Sequence, residues 1–168
     1  MTFDKDVTVP PWAFYLLEVA IGTLLVSLAQ KFLRPGTVNK YLEEFLCVMV
    51  TIVISHENSI LKRAYGDAAY YLAVFGTTVL YAKLFRPSIF TNAAGAVYQF
   101  TSKRDMSDIE LGTHISIQIF AAWCAFRVVQ FIWQFHLCGA YHEQKLMTIN
   151  TCSSHIAVRS QQHIFMQS

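Results

Sequence analysis

Charge is scarce in this chain. Only 14% of its 168 residues are Asp, Glu, Lys or Arg, against about 25% in an ordinary soluble domain. The 13 basic and 11 acidic side chains nearly cancel and are scattered along the chain, which argues against a nucleic-acid or strongly acidic partner. Cysteine is also sparse. Cys47, Cys124, Cys138 and Cys152 form no CxxC pair and no dense framework, which excludes a zinc-ribbon or disulfide-scaffold reading. They read as small apolar residues, with Cys138 and Cys152 as candidates for lipidation or a bridge. None of Asn39, Asn58, Asn92 and Asn150 is followed two residues later by Ser or Thr, so a glycan acceptor is missing. The sequence lacks a Ser/His/Asp or Cys/His constellation, a metal-ligand cluster and a phosphate loop at usable spacing, so it predicts no enzyme, no metal and no cofactor. An internal repeat is missing as well.

Apolar residues make up the balance: 54% of the chain is hydrophobic and its mean hydropathy is +0.37, the composition of a membrane protein. After a polar start over 1–11, the run Trp12 to Gln30 carries Glu18 as its single charge. Its length suits a bilayer crossing, about 20 helical residues, and it lacks the basic lead-in of a cleaved signal peptide. The expected helix is 12–33, stopped by Lys31, Arg34 and Pro35-Gly36. A second helix over 41–61 has an uncharged centre, Phe45 to Ser55, between Glu43-Glu44 and His56-Glu57. A carboxylate inside a membrane helix costs roughly 2.5–3.5 kcal/mol and calls for a partner. If this segment spans, at least one of the glutamates therefore needs a partner; Glu43 reads as more exposed than Glu44, and His56-Glu57 as a helix end facing water. A third helix over 67–84 places Tyr70, Tyr71 and Tyr81 near the interfaces and leaves Lys83 to snorkel. Ser107 and Glu110 have capping-box spacing and open a long helix over 108–137. Ala121 and Ala125 form a small-xxx-small pair on it. From about Met147 the chain turns polar and aperiodic, so 142–168 is expected to be a disordered tail.

The stretch Phe85 to Phe100 stands apart. A basic break at Arg86-Pro87 leads through Asn92-Ala93-Ala94-Gly95 into an apolar piece too short to cross a bilayer, and charge returns at Lys103, Arg104 and Asp105. Two readings fit: a re-entrant half-helix over 92–101, which a membrane tolerates only against protein or a water-filled cavity, or an extramembrane loop with one amphipathic turn. The basic residues flanking the helices divide seven against five. Lys31, Arg34, Lys40, Lys83, Arg86, Lys103 and Arg104 lie on the side of the Asn92 loop, and Lys5, Lys62, Arg63, Lys145 and Arg159 on the other. The bias puts that loop on the cytosolic side.

Three groups of residues together resemble the aquaporin superfamily, in particular its unorthodox branch typified by aquaporins eleven and twelve. They are Leu42-Glu43-Glu44-Phe45-Leu46 with Ser55-His56-Glu57; Asn92-Ala93-Ala94-Gly95 with Gln99; and Gln118, Cys124, Arg127 and Trp133. The resemblance covers roughly Lys40 to Tyr141 and implies an all-α membrane protein. Its architecture would be about four transmembrane helices plus one re-entrant half-helix: a single aquaporin repeat over 40–141 with an extra N-terminal helix.

In that family two inverted repeats each supply a half-helix, and the two amino ends meet at mid-membrane. By resemblance Asn92, Ala93 and Ala94 are the pore box and Asn92 its donor, while Glu44 and Gln118 are the buried polar residues that support the loop. Ala93 stands where most members have proline, and the approach from Phe85 lacks the usual glycines. The second glutamate helix, second box and filter arginine have no counterpart between Tyr141 and Ser168. The implied protein is a channel for water or small neutral solutes such as glycerol or hydrogen peroxide, incomplete as one chain. It would be a truncated or alternatively spliced form that pairs with a second half or a full-length relative. The alternative is a non-conducting membrane protein that binds and modulates such a relative. The resemblance favours the endoplasmic reticulum or another intracellular membrane over the cell surface.

Overall fold

The computed structural model describes residues 9–33, 36–86, 89–103 and 106–148. Arg34, Pro35, Pro87, Arg104, Asp105, Cys152, residues 1–8 and the tail from 149 lie outside them. The described residues are helical and contain no strand. In chain order the helices are α1 (Pro11–Phe32), α2 (Thr37–Tyr65), α3 (Asp67–Leu84), α4 (Ala93–Lys103), α5 (Asp108–Gln134) and α6 (140–148). The chain divides into two compact units, Pro11–Val129 and the segment beginning at Gln130.

Three helices, α1, α2 and α5, are long and apolar enough to cross a membrane. At 1.5 Å per residue α1 reaches about 33 Å, enough for a hydrocarbon core of about 30 Å. The 18-residue α3 is not among those three. Large apolar side chains point outward, among them Leu16 and Leu24 of α1, Leu72 and Phe75 of α3 and Phe120 and Trp123 of α5. Carboxylates point inward: Glu43, Glu44 and Glu57 are all buried. Apolar outside with polar inside is the arrangement that suits lipid as the surrounding solvent.

Within the first unit, α1, α2 and α3 pack around Tyr15, Val26, Cys47, Val50, Ile54, Leu61 and Tyr81. Gly22 makes the α1–α2 approach possible, because a Cβ there would lie 2.5 Å from Val50 Cγ1. Gly66 makes the α2–α3 turn: at φ 87 it occupies the left-handed region, and its N–H closes α2 on the Lys62 carbonyl at 2.8 Å. Lys62 then pairs with Asp67 at 2.9 Å across that turn. Polar ties finish the trio. Tyr15 Oη donates to the Ala73 carbonyl at 3.1 Å and Gln30 Nε2 to the Leu84 carbonyl at 3.0 Å. Tyr81, expected near an interface, is therefore a core residue like Tyr15, whereas Tyr71 is exposed as expected.

The capping box opens α5 as its spacing predicts. Ser107 Oγ accepts from the Glu110 N–H at 3.3 Å and Glu110 Oε2 from the Ser107 N–H at 3.2 Å. His114, Gln118, Ala121, Ala125 and Val129 line its buried face, spaced three and four residues apart as one stripe of a helix requires.

In the second unit α5 ends at Gln134 rather than 137, because His136 takes a positive φ of 50. Trp133, Cys138 and His142 are buried together there, so Cys138 is not an open lipidation site. Residues 142–148, expected to be disordered, are helical within α6; burial of His142 against Trp133, with ring centroids 6.2 Å apart, accounts for the difference.

Candidate functional site

Glu44 is the centre of a buried polar cluster. It lies two turns into α2, with its side chain fully removed from the surface. Its carboxylate accepts from Gln118 Nε2 at 2.9 Å through Oε1 and from His114 Nδ1 at 2.5 Å through Oε2. Both donors come from α5, four residues apart and so on one face. Gln118 Nε2 also reaches the Phe90 carbonyl at 3.4 Å. One buried acid thus links α2 and α5 with the loop two residues before Asn92. The rings around it close the cluster: His114 meets Phe90 edge-on at 4.9 Å and Tyr41 at 5.2 Å.

Asn92 caps α4. Its Oδ1 accepts the Gly95 N–H at 2.8 Å, the bond by which an N-cap satisfies an orphan donor of the first turn. The two Nδ2 hydrogens remain as the donors the side chain can offer. Ala93 is the first helical residue of α4, a good helix former at that position. Asn92, Ala93 and Ala94 are exposed on the protein surface. The eleven residues of α4 span about 16 Å, roughly half a bilayer core.

A cavity of about 560 Å³ opens between α2, α3 and this loop. Thr51, Ser55 and Asn58 line it from α2, Tyr70, Thr77, Thr78 and Tyr81 from α3, and Arg86, Thr91 and Asn92 at the loop. Thr51, Ser55 and Thr77 donate to helix carbonyls at 2.8, 2.7 and 2.8 Å. Their oxygens are thereby left as acceptors. Asn58 Oδ1 and Tyr81 Oη are buried without a protein partner. Arg86 is the one formally charged side chain in the lining. Ile54, Val74, Ala82, Phe85 and Ile89 supply the apolar remainder, and a wall of this mixed kind suits a neutral solute with both apolar surface and hydrogen-bonding groups.

Glu43 is more exposed than Glu44 only by 3% against 0%, and is itself buried, with Arg86 Nη1 paired to its Oε2 at 3.3 Å. The second Arg86 nitrogen, Nη2, donates to the Gln30 carbonyl at 3.1 Å, near the negative end of α1. Glu57 departs from expectation: α2 runs on to Tyr65, so the His56-Glu57 pair sits inside the helix and Glu57 is buried. His56 contacts the Phe126 ring at 6.2 Å. Arg127 lies on the exposed side of α5, with its guanidinium 5.6 Å from the centre of the Trp123 ring.

The structure therefore brings Glu44 and Gln118 together, and sets Asn92 at the edge of a cavity of mixed polar and apolar lining. His114, to which the sequence alone assigns no role, is the third member of the cluster. Its spacing of four from Gln118 was the available signal. Comparison with family models, with curated proteins and with solved structures finds no match to the chain.

Proposed function

We propose that this chain is an aquaporin-type channel component that carries one pore half-helix, for water or small neutral solutes such as glycerol or hydrogen peroxide. The observation that carries the proposal is the Glu44–Gln118–Phe90 linkage. A buried acid and its glutamine hold the backbone of a loop that ends at a capping asparagine and a half-length helix. The adjoining cavity supports it, its lining combining hydroxyls, amides and a single cation with apolar side chains such as Ile54 and Val74.

On this reading α3 is a fourth crossing, supported by its outward Tyr71, Leu72, Phe75 and Val79, and α4 is re-entrant. Asn92 Nδ2 donates to the passing solute while the amino end of α4 opposes cations. The described residues hold one such half-helix, so a pore of two opposed half-helices needs a second from elsewhere, either a second aquaporin half or a full-length relative. The alternative, a non-conducting subunit that modulates such a relative, rests on the same single half-helix. By the resemblance the membrane is intracellular, most simply the endoplasmic reticulum, with the Asn92 loop on the cytosolic side.

Proteoliposome swelling in glycerol, light scattering for water and a peroxide-sensitive dye test the proposal. The chain alone is expected not to conduct, and the chain with a co-purifying aquaporin-type protein is expected to conduct, less so with Asn92→Ala. Permeability of that complex unchanged by the Asn92 substitution favours the modulator. A folded chain that neither conducts nor captures such a partner refutes both.

A further inference from the structure

His114 is assigned no role by the channel reading, yet it is fully buried at the centre of the loop support. Glu44 has two oxygens and each accepts one bond, Oε1 from Gln118 and Oε2 from His114. Gln118 Nε2 has two hydrogens to place. One goes to Glu44 at 2.9 Å and the other to the Phe90 carbonyl at 3.4 Å, the longer and weaker of the two. The carboxylate is the stronger acceptor, since a bond to a charged group outweighs one to a neutral carbonyl.

We infer that His114 is a positioning residue: by satisfying Glu44 Oε2 it leaves the second Gln118 N–H for Phe90, and so fixes the loop that leads into Asn92. Without that donor, Oε2 is a bare acceptor in a site closed to water. It draws the Gln118 amide toward a two-oxygen contact, and the Phe90 carbonyl is released. The imidazole acts on the loop by a second route as well, since its edge contact with the Phe90 ring restrains the same residue. A carboxylate can only accept, so with Glu44 ionised Nδ1 is the nitrogen that donates to it. Nε2, buried without a partner, lies on a ring flanked by Tyr41 and Phe90. The groups facing His114 are thus one carboxylate and two aromatic rings. The consequence for solute passage rests on the channel reading, whereas the control of loop order does not.

Two substitutions separate the donor from the ring. His114→Phe keeps an aromatic ring and removes the donor; His114→Asn keeps a donor near the Nδ1 position and removes the ring. The measurement is amide exchange over Ile89 to Gly95 in the full chain in lipid nanodiscs, with the α2–α3 hairpin as the folding control. His114→Phe is expected to speed exchange about tenfold or more, the scale of one hydrogen bond to a charged group. His114→Asn is expected to return it toward the parent value. Gln118→Ala should speed exchange as much, and His114→Phe added to it should do nothing further, because both act through the same Phe90 bond. Parent-like exchange in His114→Phe overturns the inference. So does equal loosening by Phe and Asn, which would show that a donor to Glu44 does not by itself hold the loop. If exchange responds as expected but every swelling assay stays silent, the channel reading fails and the positioning role stands.

Discussion

Replacing Gly22 by Ala should push α1 and α2 apart. The new Cβ would sit 2.5 Å from Val50 Cγ1, 3.4 Å from Ile54 Cδ1 and 3.5 Å from Tyr81 Oη. Carbon pairs settle at about 3.5–4.0 Å, so the Val50 contact must lengthen by roughly 1 Å. Val50 is β-branched and 5% exposed, leaving it little rotamer freedom with which to yield. Overpacking of this kind costs about 1–3 kcal/mol. Ala gains back up to about 1 kcal/mol of helix propensity over Gly, for a net loss of up to about 2 kcal/mol. The cause is separable from propensity by a double-mutant cycle. In a Val50→Ala background the clash is gone, so Gly22→Ala should become neutral or stabilising, with a coupling energy of about 1–3 kcal/mol. Unfolding in mixed micelles, followed by tryptophan fluorescence, reads all four corners of the cycle. A Gly22→Ala protein as stable as the parent, or one equally weakened with and without the Val50 side chain, refutes the close-approach argument.

Asn92→Ala should cost α4 about 1 kcal/mol, the usual worth of an N-cap, while Asn92→Asp should retain most of it; faster exchange of the Gly95 amide, whose N–H the cap accepts, is the local measure. Arg86→Ala leaves Glu43 buried with no cation. The expected loss is roughly 1–3 kcal/mol in the same unfolding assay, below the range for a fully enclosed pair because the Arg86 side chain is 44% exposed. Lys62→Ala breaks a shorter contact, 2.9 Å to Asp67, but both side chains are more than half exposed, and no measurable change is expected.

The helices were legible in the chain because their signals are local. Glu18 alone interrupts the apolar run of α1, Gly66 separates α2 from α3, and Ser107 with Glu110 marks the first turn of α5. The need of at least one glutamate of α2 for a partner was legible, since a carboxylate among apolar helical residues has few alternatives; the choice of Glu44 came from the aquaporin resemblance. The burial of Glu43 and Glu57 was not legible, for the opposite reason. Burial of a charge next to a helix end depends on whether a distant cation or helix arrives, and Arg86 comes from more than forty positions away. His114 fell among polar interruptions that a sequence cannot rank. The same seven-residue window of α5 also contains Thr113 and Ser116, whose hydroxyls simply donate to carbonyls of their own helix.

Composition and periodicity determined that this is an all-helical chain with segments apolar enough to cross a membrane, because low charge and long uncharged runs leave little else that satisfies the backbone. They also marked Asn92 as a helix start, since a side-chain oxygen ahead of an apolar turn has an amide within reach. The tertiary structure decided which polar groups meet. Only packing α5 beside α2 brings His114 and Gln118 to the two oxygens of Glu44, and only the loop's return beside them places the Phe90 carbonyl where Gln118 reaches it. Hydrogen bonds fall off within a few tenths of an ångström, so such a linkage comes from the arrangement of three elements and is written in none of them singly.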